Sequence, residues 1–148
     1  MARPFISIKF NEASLAKLRA NLITMDINTR QGAKKAITTV AKNIMAQSQS
    51  EVPRDTETLR DTSYIEEVKG SGTKVSINLG YASPASDKRN PESGEMASEY
   101  AMKVHETPEW KHPYGKYKYL EDPARAHQGD LVNEVGRELS IVYSKGAA

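Results

Sequence analysis

The stretch NTRQGAKKAITTVAKNIMAQSQS, residues 28–50, decides how the rest of the chain is read. Ala33, Ala36, Ile37, Val40, Ala41, Ile44 and Met45 recur at alternating steps of three and one, which gathers them on one stripe of an α-helix. Lys34, Lys35, Thr38, Lys42 and Asn43 fall on the opposite side. The spacing therefore predicts a long amphipathic helix with one buried face. It ends before Pro53, because a proline biases the preceding Val52 away from the helical region. The three alanines of the stripe let another backbone approach closely.

Upstream, Phe5, Ile6, Ile8 and Phe10 alternate as in a short strand. Leu15, Leu18 and Leu22 predict a short amphipathic helix after it. Downstream, residues 62–69 read as a strand, Gly70 to Gly72 as a hairpin turn, and residues 74–79 as its partner, with Val75, Ile77 and Leu79 on one face. Residues 82–95 hold two prolines, five charged residues and no apolar side chain larger than alanine, so a long flexible loop is expected. Tyr100, Met102 and Val104 alternate with Ala101 and Lys103, which predicts a third strand of the sheet. From residue 124 to about 144, Ala124, Leu131, Val132, Val135, Leu139 and Val142 keep a helical stripe, with Gly129 and Gly136 as weak points. These elements make an α+β domain. A long helix and a C-terminal helix pack on a small antiparallel sheet, with an aromatic loop at 105–123.

Composition narrows the function classes. At 148 residues the chain fits a single domain with a small core. The 21 basic and 19 acidic residues leave a net charge of +2, too little for long-range attraction to nucleic acid. The absence of cysteine excludes disulfides and thiolate catalysis and fits assembly in a reducing cytoplasm. The first ten residues lack an apolar signal core, and no apolar run reaches membrane-spanning length, so a soluble, unexported protein is expected.

Catalytic and cofactor motifs are missing. The histidines are His105, His112 and His127, and no nucleophile elbow, metalloprotease or phosphate-loop pattern accompanies them. His105 with Glu106 resembles half a metal site, but neighbours on a strand point to opposite faces, so no metal or cofactor is assigned. Asp55, Glu57, Asp61, Glu66 and Glu67 lie among Arg54, Arg60 and threonines, a setting for a solvated, ion-paired turn rather than for general acid and base work.

The segment HETPEWKHPYGKYKYLEDP, residues 105–123, concentrates Trp110, Tyr114, Tyr117 and Tyr119 with Lys111, Lys116 and Lys118. Aromatics with lysines can stack bases and neutralise phosphates, yet single-strand binders usually carry them on a sheet face. The preferred reading is a protein interface, with Trp110, Tyr114, Tyr117, Tyr119, Lys111 and Lys116 as its residues, because Trp and Tyr bury large rigid area and keep a polar tip. Packing of Tyr117 and Tyr119 over the hairpin is the competing account.

Two segments carry a resemblance. SEVPRDTETLRDTSYIEE, residues 50–67, follows the long helix, and EYAMKVHETPEW, 99–110, leads through the loop to KYLEDPARAH, 118–127. Their order and motifs resemble the neck, or minor capsid, proteins that join head to tail in long-tailed bacteriophages. The matching positions are Asp55, Thr56, Leu59, Arg60, Tyr100, His105, Glu106, Leu120 and Pro123. The resemblance implies that they define the fold, with Asp55, Thr56, Leu59 and Arg60 forming the turn after the helix. It departs at Glu57, where the family usually has glycine, so the turn need not take a positive φ, and at Thr107.

A virion protein made in the bacterial cytoplasm is thus implied, assembling as a ring of copies against adjoining head-completion, tail-tube or terminator proteins. Contact with DNA in the channel would be weak and non-specific, and no membrane is involved. A tail terminator or tail completion protein is the alternative position, and a small nucleic-acid-binding module the alternative class.

Overall fold

The computed structural model describes residues 6–8, 27–54, 57–70, 75–108 and 114–146. Within them the order is β1 (Ile6–Ile8), α1 (Ile27–Glu51), α2 (Thr58–Asp61), β2 (Ser63–Ile65), β3 (Leu79–Tyr81), α3 (Ala97–Glu106), α4 (Glu121–His127) and α5 (Asp130–Gly146). This is an α+β fold. The helix expected over residues 15–22 lies outside the described residues.

The expected stripe of α1 is its buried face: Ala33, Ala36, Ile37, Val40 and Ala41 are fully enclosed, as is Ser48. That face meets α5, α4 and the sheet. Gly32 continues it toward α5, where a Cβ would lie 3.3 Å from Val142. Across the interface Glu138 of α5 is buried and pairs with Lys35 of α1 at 3.7 Å and with Arg137 at 2.8 Å.

The sheet has the order β1-β3-β2 with both pairings antiparallel, in the registers Ile6↔Tyr81 and Ser63↔Tyr81. The β2–β3 pairing extends outward through Glu66 N–H to Asn78 O at 2.8 Å and an isolated bridge between Lys69 and Ser76. Val75, Ile77, Leu79 and Tyr81 alternate inward and are all buried. The hydroxyl of Tyr81 meets Ser48 of α1 at 2.8 Å, and burial pushes its pKa up to about 12. That bond is polar registration between the long helix and the central strand.

Three sequence expectations need correction. Residues 100–104 are not a strand: they lie in α3, whose buried positions Ala97, Ala101, Val104 and His105 follow helical spacing while Met102 is exposed. Glu99 accepts the Met96 N–H at 2.7 Å and Asp87 accepts the Ser98 N–H at 3.0 Å, which satisfies donors at the start of this helix. The C-terminal helix is two helices, broken at residues 128–129 between α4 and α5, and it starts before Pro123, not after it. Val132 does not belong to the inward stripe, being 68% exposed. A fourth difference concerns residues 82–95. They form a loop, as composition predicts, but one tethered by Ser86 Oγ to Thr62 O at 2.9 Å, by Asp87 to α3, and by the Arg89–Met96 bridge.

Candidate functional site

The aromatic loop is bolted to the core at both ends. After α3, whose last turn includes His105 and Glu106, the chain returns as Tyr114, Gly115 and Lys116 beside the end of α1. The Lys116 N–H donates to the Glu51 carbonyl at 2.8 Å and so satisfies one of the carbonyls left open at the helix C-terminus. The approach is so close that a Cβ on Gly115 would lie 2.5 Å from Pro53 N and 2.7 Å from Glu51 O. Gly115 also has φ +91°, a conformation side chains rarely take. Pro53 and Gly115 thus fit each other, one ending the helix and the other letting the loop lie on that end.

Two lysines complete the attachment. Lys116 Nζ lies 2.8 Å from Asp122 and 3.3 Å from Glu51, and these partners, Asp122 first, raise its pKa. Glu51 sits where a helix disfavours negative charge, since α1 has no basic residue in its last turn, and Lys116 offsets it from outside. Lys118 Nζ bridges Glu106 at 2.6 Å and Glu121 at 2.7 Å. The hydrogen bond from Lys118, followed by that from His105, holds the Glu106 carboxyl below the usual carboxylate range. Lys118 does the same for Glu121. Lys118 itself has φ +56°, and its N–H donates to the His105 carbonyl at 2.8 Å.

Beneath this clasp lies Tyr119, wholly buried, its ring edge-on to Tyr81 at 5.3 Å and to His105 at 5.0 Å, its hydroxyl donating to Ala101 O at 3.1 Å. Burial pushes its phenol far above the usual range. His105, also buried, donates through Nδ1 to Glu106 at 2.6 Å and accepts the Glu121 N–H at Nε2. The ring therefore joins the end of α3 to the start of α4.

The predicted interface residues separate accordingly. Tyr114 is 71% exposed and Tyr117 43% exposed. Tyr119 is the correction: it is core, and contributes nothing to an outer surface. Lys116 is an anchor for the loop. Trp110 and Lys111 lie outside the described residues, as do Asp55 and Thr56 of the turn. Leu59 is buried and Arg60 pairs with Glu57 at 3.3 Å. Glu57 has φ +61°, so the turn takes the left-handed conformation without the glycine that suits it, contrary to expectation. Sequence reasoning missed Gly115, Glu51, Glu121 and Asp122 as the framework of the loop, and reached Glu106 as a fold-defining position of the resemblance; the Pro-Tyr-Gly triplet and the acidic pair before Pro123 were the signals for it.

His105 and Glu106 do not point to opposite faces, because they end a helix and touch. With Glu121 they bring ligand atoms within 4.8 Å of one another. The Lys118 ammonium stands between the two carboxylates where a cation would go, so the group functions as a lysine clasp. Elsewhere, an open recess of about 310 Å³ is lined by Lys34, Lys35, Thr38, Glu66, Glu67 and Val68. Glu66 there is held by Asn78 at 2.9 Å and lies 4.0 Å from Lys69, the ion-paired setting expected of it.

No protein-family model matches the chain, and no curated protein or solved structure matches it. The geometry must therefore speak alone. What it offers is a segment, residues 114–118, tied to the ends of α1 and α3 and to α4, with Tyr114 and Tyr117 exposed beside ion-paired charges. Among the described residues, no helix is long and apolar enough to cross a membrane.

Proposed function

We propose that the chain is a structural protein of a tailed-bacteriophage particle, acting at the head-to-tail junction as a ring of copies whose aromatic loops dock on neighbouring subunits or on the adjoining ring. One observation carries this reading. Of the described positions on which the resemblance rests, Leu59, His105, Leu120 and Pro123 are buried and Arg60, Tyr100 and Glu106 are not, while Tyr114 and Tyr117 are turned to solvent. Four of the residues expected to define the fold are enclosed, and two aromatic residues suited to a contact are displayed beside them. Repeated head-to-tail contacts of this kind close into a ring when the rotation permits.

The nucleic-acid alternative is weakened by the same geometry, because Lys116 and Lys118 already face carboxylates and have less charge to offer phosphates. The tail-terminator alternative differs only in which ring the loops meet. Electron microscopy of particles carrying a tag at the C-terminus tests the proposal. Label at one vertex supports it, and its position between portal and tail separates neck from terminator; label over the whole shell, or none, refutes it. In the same particles Tyr114→Ser combined with Trp110→Ser should block joining of heads to tails.

A further inference from the structure

A line of side-chain hydrogen bonds runs from the break between α4 and α5 to the end of α1. Asp130 Oδ2, in the first turn of α5, lies 2.7 Å from His127 Nδ1, and His127 Nε2 lies 2.8 Å from Gln47 Oε1. Gln47 Nε2 donates to Glu51 Oε1 at 2.9 Å, and the other Glu51 oxygen meets Lys116 Nζ at 3.3 Å. The Glu51 end fixes the direction of every bond. A carboxylate only accepts, so Gln47 turns its amide nitrogen to Glu51 and its oxygen to His127. Nε2 of His127 must then carry a hydrogen, and Nδ1, facing a second carboxylate, must carry one too. A ring that donates from both nitrogens is the imidazolium cation. Asp130 faces it from α5 and Gln47 from α1, with Glu51, Lys116 and Asp122 beyond; on α4 itself Arg125 is taken up by Glu121.

We infer that the proton on His127 Nε2 fastens the aromatic loop, and that its loss loosens the loop's seat on the end of α1. A neutral ring has one N–H, and it stays with Asp130, because a charged acceptor makes the stronger bond. The Nε2 lone pair is then left facing the Gln47 oxygen. Gln47 relieves this by turning over, which sets its oxygen against the Glu51 carboxylate and removes the hydrogen bond that Glu51 received. Glu51 is where the loop is held twice, at its carboxylate by Lys116 Nζ and at its carbonyl by the Lys116 N–H. Imidazole is the side chain that ordinarily changes charge between about pH 5 and 8, whereas carboxylates and ammonium groups ordinarily do not. A rise in pH across that range therefore reaches the loop through Gln47. His105, the other described histidine, has different partners, Glu106 and the Glu121 N–H. The latch concerns how the loop is mounted, whatever the loop docks on.

Long-range proton–nitrogen NMR of the isotope-labelled full chain reads the protonation of each ring nitrogen. Both nitrogens of His127 should carry a proton at about pH 5.5, and Nδ1 alone at about pH 8.5. Over the same interval the hydrogen-exchange protection factor of the Lys116 amide should fall roughly two- to tenfold, the effect of weakening one hydrogen bond, with helix content unchanged. Gln47→Met keeps the ring but removes the relay, so the ring should still lose its proton while Lys116 protection no longer follows. In His127→Gln, Lys116 protection should not change with pH. A single ring N–H at the lower pH, a ring still doubly protonated at the higher one, or Lys116 protection that holds as the proton leaves would overturn the inference. So would a fall in protection that persists in either variant, which would assign the effect to another histidine. Mislabelled particles would leave these measurements untouched, and a ring that never carries two protons would leave the particle-labelling result untouched.

Discussion

Replacing Gly115 by alanine tests whether the aromatic loop is fixed to the core. The φ of +91° penalises any L side chain by about 1–2 kcal/mol. The new methyl would stand 2.5 to 2.7 Å from Pro53 N, Pro53 Cα and Glu51 O, all backbone atoms that cannot rotate away, which adds about 1–3 kcal/mol of overpacking. Loss of chain entropy in the unfolded state returns about 0.4–1 kcal/mol. The net expectation is a loss of about 1–4.5 kcal/mol, a fall in Tm of roughly 3–14 °C for a chain of this size. Urea denaturation followed by circular dichroism gives the global change, and fluorescence of Trp110, the chain's single tryptophan, reports the loop separately. The matching control is Gly129→Ala, where φ is not positive and a Cβ meets nothing within 4 Å. That change should stabilise by about 0.5–1 kcal/mol. If Gly115→Ala lay within about 0.5 kcal/mol of the parent by both probes, the close approach of loop and helix end would be wrong.

Three further outcomes follow from particular residues. Glu57→Gly should stabilise by about 0.5 kcal/mol, because relief of the left-handed strain exceeds the added chain entropy and the loss of an exposed ion pair with Arg60; a loss of stability in denaturant melts would contradict it. Tyr119→Ala should cost about 3–5 kcal/mol and Tyr114→Ser less than about 0.5 kcal/mol, which thermal melts of the two variants distinguish. Glu106 and Glu121 have folded pKa values below their ordinary range, so their contribution is present above the unfolded values near 4.5 and disappears as pH falls through the lowered ones. Both carboxylates are partly exposed, which keeps the effect small. Lys118→Met should remove that part of the acid dependence, and acid melts of parent and variant that stayed parallel would refute the clasp.

The long helix was legible because its stripe persists for three turns, long enough to separate a period of 3.6 from one of two; the expected 28–50 and the observed Ile27–Glu51 differ by a residue at each end. The antiparallel pairing was legible from the strict alternation of Val75, Ile77 and Leu79, which all point inward, but its regular strands are Ser63–Ile65 and Leu79–Tyr81 instead of 62–69 and 74–79, and residues 71–72 of the expected turn lie outside the described residues. Residues 100–104 failed because five residues satisfy both periods. Only the wider set Ala97, Ala101, Val104 and His105 reveals the helix, and three of those four are not strongly apolar. At the candidate site, aromatic content located the loop but could not divide it. Tyr119 and Tyr114 are the same residue type five positions apart, and which is enclosed depends on Tyr81 and His105, brought there by tertiary contacts. The clasps were invisible for the same reason, since Lys116 joins Glu51 across 65 positions of chain.

The bond from Lys116 N–H to the last turn of α1 has a mechanical consequence. Tyr114 stands two residues from this bond, which leads into a helical rod of 25 residues, about 37 Å long. Under the proposed docking, a load on the exposed tyrosines would be carried lengthwise through the body of the chain instead of staying at its surface.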